Sequence, residues 1–251
     1  MRYLLLAITG LSAIYIVSSQ NLKQAKYDTY LLAQSLKSAI TSPHSTWLAV
    51  KQLNDLPQLE VYRDANNHIP SPQVIFYGDS ITQRWKTGFL ESHHYLDRGI
   101  DGQNTNQLLL RFHQDVIELK PKKVVILGGV NDIVELKGYI PIEATENNIR
   151  VMVEISKSHH IEPILCTLLP IFHYPGRNRS AEVQTLNYWI RGYAREQNLQ
   201  VIDYYKAMNV DLTNDGLHPS TAGYKVMESE VKKMISPESV SISSLQHPSD
   251  N

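Results

Sequence analysis

Short apolar runs alternate with longer amphipathic stretches through the middle of the chain. The continuous runs predict four buried strands, at residues 74–77, 123–127, 161–169 and 199–202. Apolar residues that recur at spacings near 3.6 predict helices at residues 142–159, 181–197 and 221–234. Strands that alternate with helices in this way indicate an α/β domain with a mostly parallel sheet covered on both faces.

The two ends of the chain do not follow this alternation. Residues 3–17 form an uncharged apolar run of about 15 residues after a basic start, shorter than the roughly 20 residues that span a bilayer. This run is typical of a secretory signal; an uncleaved membrane anchor and a buried N-terminal helix are the alternatives. We therefore expect a signal peptide or membrane anchor at 1–20, a helical N-terminal extension at 21–72, the α/β domain at 73–235 and a disordered tail at 236–251.

The N-terminal run also predicts where the protein acts. A signal peptide or an anchor places it outside the cytoplasm, either secreted or in the cell envelope, which in a bacterium means the periplasm. An anchor would associate the protein with the membrane through residues 3–17.

Composition and charge exclude several classes of function. The 24 Lys and Arg residues are balanced by 25 Asp and Glu and are scattered along the chain, so no basic face for nucleic acid is expected. The single cysteine, Cys166, lies in an apolar run and is predicted to be a buried thiol. The histidine pairs at 93–94 and 159–160 do not form a chelating face, because adjacent helix residues point about 100° apart. We therefore predict neither a metal nor another cofactor.

Polar segments follow two of the predicted strands and precede the last predicted helix. Residues 78–80 (Gly-Asp-Ser) follow the first strand, residues 128–132 (Gly-Gly-Val-Asn-Asp) follow the second, and residues 215–219 (Asp-Gly-Leu-His-Pro) precede the helix. A glycine turn at residues 99–102 lies between the first two segments. Ligands bind beyond the carboxyl ends of parallel strands, so these segments form the candidate site.

Together the segments supply the groups that acyl transfer requires, namely a nucleophile, a base, a group that orients the base and donors for an oxyanion. Ser80, at a strand-to-helix turn, is the predicted nucleophile. His218 is the predicted base, and Asp215 can reach the far ring nitrogen of His218 within one short loop. Each motif alone is common in turns and helix caps; their order and topological positions indicate catalysis.

The predicted oxyanion donors are the backbone N–H groups of Ser80 and Gly102 and the side-chain amide of Asn131. Glycine at position 102 permits close approach of the chain and a positive φ. The neighbouring carboxylates of Asp79 and Asp132 are expected to support the turns by accepting backbone N–H groups, rather than to act in catalysis.

With these motifs the sequence resembles the SGNH hydrolases, also called the GDSL esterase/lipase family, over about residues 74–233. The motif residues of the family fall on Ser80, Gly102, Asn131, Asp215, His218 and Pro219. The resemblance implies a flavodoxin-like, three-layer α/β/α sandwich with a mostly parallel five-stranded sheet. It also implies ester hydrolysis without a metal and an oxyanion hole built from Ser80, Gly102 and Asn131.

The sequence departs from the family pattern at two places. Asp97-Arg98-Gly99 stands where the family often has Asn before its second-block glycines, and Val130 occupies a position that is often Thr or Gly. Neither departure removes a predicted functional group. The α/β-hydrolase elbow is excluded, because it requires Gly two residues after the serine, where this chain has Thr82.

The segment at residues 172–179 follows a predicted strand end and should border the site. Tyr174 and Arg177 are the candidate substrate contacts in it, and Arg177 or Arg179 would meet an anionic group. A solvent-exposed loop without a role in binding is the alternative.

The motifs thus predict a serine ester hydrolase that acts through an acyl-enzyme on a small-molecule, glycan or lipid ester. Short-chain acyl esters, O-acetylated sugars and lysophospholipids all remain candidate substrates. The alternative function is a catalytically inactive module of the same fold that binds a glycan or lipid. A decayed enzyme would be expected to have lost at least one motif residue, and all of them are present.

Overall fold

The structure, a computed structural model, describes residues 55–172 and 178–235. The chain divides into two compact units, Met1–Leu56 and Pro57–Asn251, and the fold described below belongs to the second. The predicted signal or anchor, the extension up to residue 54 and the tail at 236–251 lie outside the described residues. Within the described ranges, no helix combines the length and the apolar character needed to span a membrane.

Five parallel strands form one sheet. In chain order they are β1 Val74–Gly78, β2 Leu96–Gly99, β3 Lys123–Leu127, β4 Glu162–Cys166 and β5 Gln200–Ile202. In space their order is β2-β1-β3-β4-β5, and every adjacent pair is parallel. This is the flavodoxin-like order, so the predicted five-stranded sheet is confirmed.

Two strands differ from the apolar pattern. That pattern does not predict β2, because its sequence Leu-Asp-Arg-Gly interrupts the apolar run with charges and its first two residues are only partly buried at the sheet edge. The predicted strand at 161–169 ends early, at Cys166. Beyond it the backbone N–H and C=O of Leu168 bond the side-chain amide of Asn187, at 2.7 and 3.0 Å. The apolar run therefore continues into the core but leaves the strand ladder.

Helices connect the strands and cover the sheet. Those that the structure describes are α1 Glu60–Asn66, α2 Ser80–Gln83, α3 Phe89–Ser92, α4 Thr105–Phe112, α5 Val130–Ile133, α6 Ile142–Ser158, α7 Ser180–Gln197, α8 Tyr204–Ala207 and α9 Thr221–Met234. A π-helical turn, His113–Ile117, continues α4. The three helices predicted from the sequence correspond to α6, α7 and α9 within one residue at each end.

Two consecutive residues of β1 show how both faces of the sheet are covered. Phe76 meets Trp85 edge-on with ring centroids 5.6 Å apart, and Trp85 in turn lies 5.4 Å from Tyr224 of α9. The ring of Tyr77 meets Phe112 of α4 at 5.2 Å. Successive side chains of a strand point to opposite faces, so the two contacts lie on opposite sides and the fold is a three-layer α/β/α sandwich.

The strand register aligns the carboxyl ends of β1, β2 and β3. Gly78 pairs with Gly99 on β2 and with Leu127 on β3. A Cβ at Gly78 would lie 2.4 Å from the Leu127 carbonyl oxygen, so this approach requires glycine. The loops that leave this edge carry the predicted site residues Ser80, Gly102 and Asn131.

Candidate active site

Ser80 is the first residue of α2, immediately after the turn that ends β1. The Asp79 carboxylate accepts the Ile81 N–H at 3.0 Å and caps the helix. The hydroxyl of Tyr224, in α9, donates to the Ile81 carbonyl at 2.8 Å, so a helix distant in sequence also holds this turn. Ser80 itself is 3% exposed, so it occupies a defined position with little access to bulk water.

His218 lies in the loop before α9 and meets Ser80 at the end of the sheet. Its Nε2 is 3.0 Å from Ser80 Oγ, and its Nδ1 is 2.7 Å from Asp215 Oδ2. The structure thus brings together the three residues that the motifs single out. In this arrangement one ring nitrogen can accept the serine proton while the carboxylate fixes the tautomer of the ring.

Asp215 is held by hydrogen bonds within its own loop rather than by burial. Its Oδ1 accepts the N–H groups of His218 at 2.7 Å and Leu217 at 3.0 Å, and its side chain is 53% exposed. Partial burial raises the pKa of Asp215, but hydrogen bonds from the backbone and ring of His218 and from Leu217 outweigh it and lower the pKa below its usual value. The carboxylate is therefore charged at neutral pH, as the partner of an imidazolium must be.

Gly102 and Asn131 lie on neighbouring loops at the same sheet edge. Gly102 has a φ of 69°, in the left-handed region that favours glycine. Asn131, in α5, is 5% exposed, and its Nδ2 donates to the Gln103 carbonyl at 2.8 Å. An amide nitrogen carries two hydrogens, so a second N–H of Asn131 can donate to a ligand oxygen. The bond from Asn131 to the Gln103 carbonyl joins the two loops next to Gly102.

Asp132 ties these loops to the helices behind them. Its carboxylate accepts the Thr105 N–H at 2.9 Å, the Thr105 hydroxyl, and the Thr145 hydroxyl at 3.0 Å. Burial raises the pKa of Asp132, and the bonds from Thr105 and Thr145 oppose that rise. These contacts fit the supporting role predicted for this residue.

The carboxyl group of Asp79, which caps α2, has fewer hydrogen-bond partners than that of Asp132. Its Oδ2 is buried with no hydrogen-bond partner among the residues that the structure describes. Burial, with smaller contributions from the charges of Asp132 and Asp101, raises the pKa of Asp79 to about 7, against the lowering effect of the Ile81 N–H. The residue before Ser80 is therefore partly protonated at neutral pH.

A cleft of about 220 Å³ opens beside His218 and Asp215. Its other polar lining residues are Arg84, Lys86, Thr87, Asn214, Thr221 and Tyr224. Arg84 also forms an ion pair with Asp101, the residue before Gly102, at 2.5 Å. Arg84 therefore lines the cleft beside His218 and also contacts the loop of Gly102.

Two residues that the motifs do not identify, Gln103 and Arg111, also contact this region. Both are fully buried, and the Arg111 Nε donates to Gln103 Oε1 at 2.5 Å. A signal for Arg111 exists in the sequence: Leu108, Arg111 and Asp115 recur at the spacing of the buried face of α4 and its π-helical extension. An oppositely charged pair on an apolar face indicates a buried ion pair.

The candidate substrate contacts Tyr174 and Arg177 lie outside the described residues. Arg179, at the end of the same segment, forms ion pairs with Glu135 at 2.9 Å and with Glu182 at 3.6 Å. Its guanidinium thus contacts carboxylates of the protein itself.

Comparison with known proteins agrees with the fold and the motifs. A family model described as GDSL-like lipase/acylhydrolase matches residues 76–226. The uncharacterized lipoprotein YqeF of Bacillus subtilis (strain 168) is 33% identical over 125 residues, which cover 42% of this chain and 51% of the relative. The chain thus spans about half the length of this curated relative.

Two solved structures are similar over most of their length. One is a candidate acylhydrolase of Bacteroides fragilis NCTC 9343, with 36% identity, a TM-score of 0.68, and coverage of 70% of this chain and 95% of the other. The second is a GDSL-like lipase of Bacteroides thetaiotaomicron VPI-5482, with 34% identity, a TM-score of 0.67, and coverage of 70% and 96%. Because the family model matches more than half of the chain, the protein belongs to the GDSL-like lipase/acylhydrolase family.

Proposed function

We propose that the protein hydrolyses a carboxylic ester through an acyl-enzyme on Ser80. The observation that carries this proposal is the pair of contacts at His218, 3.0 Å from Ser80 Oγ on one ring nitrogen and 2.7 Å from Asp215 on the other. Serine is inert at neutral pH without a base to remove its proton. His218 provides that base, and the Asp215 carboxylate stabilises the imidazolium that results.

In the first step Ser80 Oγ attacks the acyl carbon while its proton passes to His218 Nε2. The carbonyl oxygen becomes an oxyanion, which accepts hydrogen bonds from the N–H groups of Ser80 and Gly102 and the amide of Asn131. The ester C–O bond then breaks, and His218 gives its proton to the departing alcohol. Water, deprotonated by His218, attacks the acyl-enzyme, and the acid leaves as Ser80 recovers its proton.

Hydrolysis of p-nitrophenyl acetate by wild type and a Ser80→Ala variant tests this mechanism. Turnover should be lost in the variant and kept in Ser229→Ala, an exposed serine on α9 that serves as the matched control. A fluorophosphonate probe should label the wild type at Ser80. Turnover by Ser80→Ala equal to that of the wild type would refute the proposal, and failure of the probe to label Ser80 would favour the inactive binding module.

The cleft beside His218 supports an ester of a polar alcohol. His218 must protonate the leaving oxygen, so the alcohol part of the substrate lies on the His218 side of Ser80. The side chains on that side, including Arg84, Thr87 and Asn214, offer charged and neutral hydrogen-bonding groups. This polarity suits the alcohol of an O-acetylated sugar and also that of a lysophospholipid.

Acyl-chain length separates these two substrates. Activity is to be measured on p-nitrophenyl esters from acetyl to dodecanoyl, and then on an acetylated sugar and on lysophosphatidylcholine. A preference for acetyl favours the sugar ester, and a preference for long chains favours the lysophospholipid. Equal activity towards esters of apolar alkyl alcohols would contradict the role of the cleft.

We also propose that the protein acts in the cell envelope. The apolar run at residues 3–17 supports this location, as does the similarity to a lipoprotein of Bacillus subtilis. Cys166, the single cysteine of the sequence, is buried in β4, so we assign membrane attachment to residues 3–17 rather than to a lipidated cysteine. Cell fractionation of the full chain and of a variant lacking residues 1–20 tests this, and recovery of both in the cytoplasm would contradict it.

A further inference from the structure

Gln103 links the two loop donors of the proposed oxyanion hole. It directly follows Gly102, and its carbonyl oxygen accepts the Asn131 amide at 2.8 Å. Gln103 is fully buried. A displacement of the Gln103 backbone would therefore move both the Gly102 N–H and the Asn131 side chain.

The side chain of Gln103 is held at both of its polar ends. Its Oε1 accepts the Arg111 Nε at 2.5 Å. Its Nε2 donates to the Pro57 carbonyl at 2.8 Å and to Gln58 Oε1 at 3.2 Å. The side chain of Gln103 thus ties this loop to two other parts of the chain, α4 and residues 57–58.

Arg111 connects this loop to the turn of the nucleophile. Its Nη2 donates to the carbonyl of Gly78, two residues before Ser80, at 2.8 Å, and its Nη1 donates to Asp115 Oδ2 at 2.9 Å. The guanidinium also lies 4.3 Å from the centroid of the Tyr77 ring. Because a guanidinium is planar and its donors have fixed directions, this one group contacts both loops and restricts their relative position.

Protein stability alone does not explain why a buried ion pair of Arg111 and Asp115 occupies this position. The Arg111 and Asp115 side chains are 0% and 1% exposed, and desolvation of two charges offsets much of their attraction. Apolar residues of similar volume are often at least as stabilising in such positions. They would pack against Tyr77, but they could not bond Gly78 and Gln103 at the same time.

Helix α1 reaches the same network from outside the matched family region. It contributes no buried residue, yet Asn66 donates to Asp115 Oδ1 at 2.9 Å and accepts from Arg98 Nε at 2.9 Å. Tyr62 donates its hydroxyl to the Gly99 carbonyl at 2.5 Å. The family match begins only at residue 76, so α1 adds support for this loop from beyond that match.

We propose that Gln103, Arg111 and Asp115, called here the brace, are positioning residues that hold the Gly102 N–H and the Asn131 amide in register with Ser80. Residues 57–66 complete the brace from outside. This inference rests on the proposed function, because the brace has a catalytic effect only if an oxyanion forms beside Ser80. Hydrogen-bond donors aimed at developing charge act on the transition state more than on the bound ester.

Gln103→Met tests the brace directly, because it keeps the side-chain volume and removes the side-chain hydrogen bonds. A misplacement of about 1 Å in an active site costs about 100-fold in rate. We expect kcat and kcat/KM for p-nitrophenyl acetate to fall together by about 30-fold, with KM changed less than about twofold. The affinity for phenylboronic acid, which forms a tetrahedral adduct with a serine hydroxyl, should fall by a similar factor. A merely structural role would lower Tm without changing kcat per folded molecule or the boronate affinity.

The contacts that Tyr62 and Asn66 of α1 make with this network give a second test that does not change a fully buried residue. Tyr62→Phe and Asn66→Ala should each lower kcat by about three- to tenfold, and Arg63→Ala, an exposed neighbour on α1, should match the wild type. If Gln103→Met fails to fold, these variants decide: wild-type kcat in both would overturn the proposal. Wild-type kcat and boronate affinity in folded Gln103→Met would also overturn it. Normal turnover by Ser80→Ala would instead refute the proposed function itself.

Discussion

The loop that carries Gly102 is held by buried side chains from other elements, whereas the loop that carries His218 is held mainly by hydrogen bonds within the loop itself. Gln103, fully buried, bonds Arg111 and the Pro57 carbonyl. In the His218 loop, by contrast, the Asn214 N–H bonds the His218 carbonyl at 2.8 Å, and the Asp215 side chain is 53% exposed. One side of the site depends on hydrogen bonds from distant segments. The other depends mainly on bonds within its own loop, together with the bond from the Phe172 N–H to the Gly216 carbonyl at 2.8 Å.

This difference affects how strongly each side depends on its surroundings. A carboxylate in contact with water interacts with its partner through a high dielectric, so its influence is screened. Hydrogen-bond donors in a buried loop act at a lower effective dielectric, and water cannot replace a donor that is removed there. We therefore expect larger catalytic effects from the oxyanion side than from the exposed carboxylate.

The largest effect is expected from Asn131→Ala. Removal of one oxyanion donor lowers kcat by about 100- to 1,000-fold, and steady-state kinetics on p-nitrophenyl acetate measures the loss. The adjacent Asp132→Ala is the contrasting variant, because it removes the carboxylate that accepts both the N–H and the hydroxyl of Thr105. Asp132→Ala should lose about 2–4 kcal/mol of unfolding free energy. Unchanged kcat in Asn131→Ala would remove it from the oxyanion hole.

A smaller effect is expected from Asp215→Asn. A buried triad carboxylate is worth about 10,000-fold in kcat, but Asp215 is half exposed and water can partly replace its charge. We expect a loss of about 100-fold in kcat, with little change in chemical denaturation because surface ion pairs contribute about 1 kcal/mol or less. A loss as large as that of a buried carboxylate would show that substrate closes this loop to water and would break the comparison.

Asp79 gives a prediction that depends on pH. Its folded-state pKa of about 7 lies above the usual value, so its contribution to stability is complete below the unfolded pKa of about 4 and is lost as pH rises through about 7. Asp79→Asn keeps an acceptor for the Ile81 N–H and has no charge to bury. The variant should match the wild type near pH 4 and exceed its stability by on the order of 2 kcal/mol at pH 8. Parallel stability curves for the two proteins would contradict the raised pKa.

The smallest effect is expected from removal of metal ions. Among residues 55–172 and 178–235 no cluster of three or more His, Cys, Asp or Glu side chains is arranged to hold a metal, and the proposed mechanism needs none. EDTA treatment followed by assay of p-nitrophenyl acetate hydrolysis should change kcat by less than about twofold. A loss of activity that Zn²⁺ or Mg²⁺ restores would show that a further group takes part.

The contrast between the two loops also explains how much could be predicted from the sequence. Asp215 and His218 are three residues apart, and their contact is closed within one loop, so a short motif indicates it. Ser80 and Asn131 follow apolar runs that predict strands, and their nearness follows from the parallel order of those strands. The apolar pattern does not predict the edge strand β2, because charged residues interrupt its apolar run.

The amino-acid sequence by itself determined the α/β class, the three main helices and the motif residues, because periodicity and short motifs record local conformation. Only the tertiary structure decided that Ser80 Oγ lies 3.0 Å from His218, 138 residues away along the chain. It also decided that Arg111 joins Gly78 to Gln103 and that α1 supports this network. Such contacts depend on the packing of separate elements at one sheet edge, and no local pattern specifies that packing.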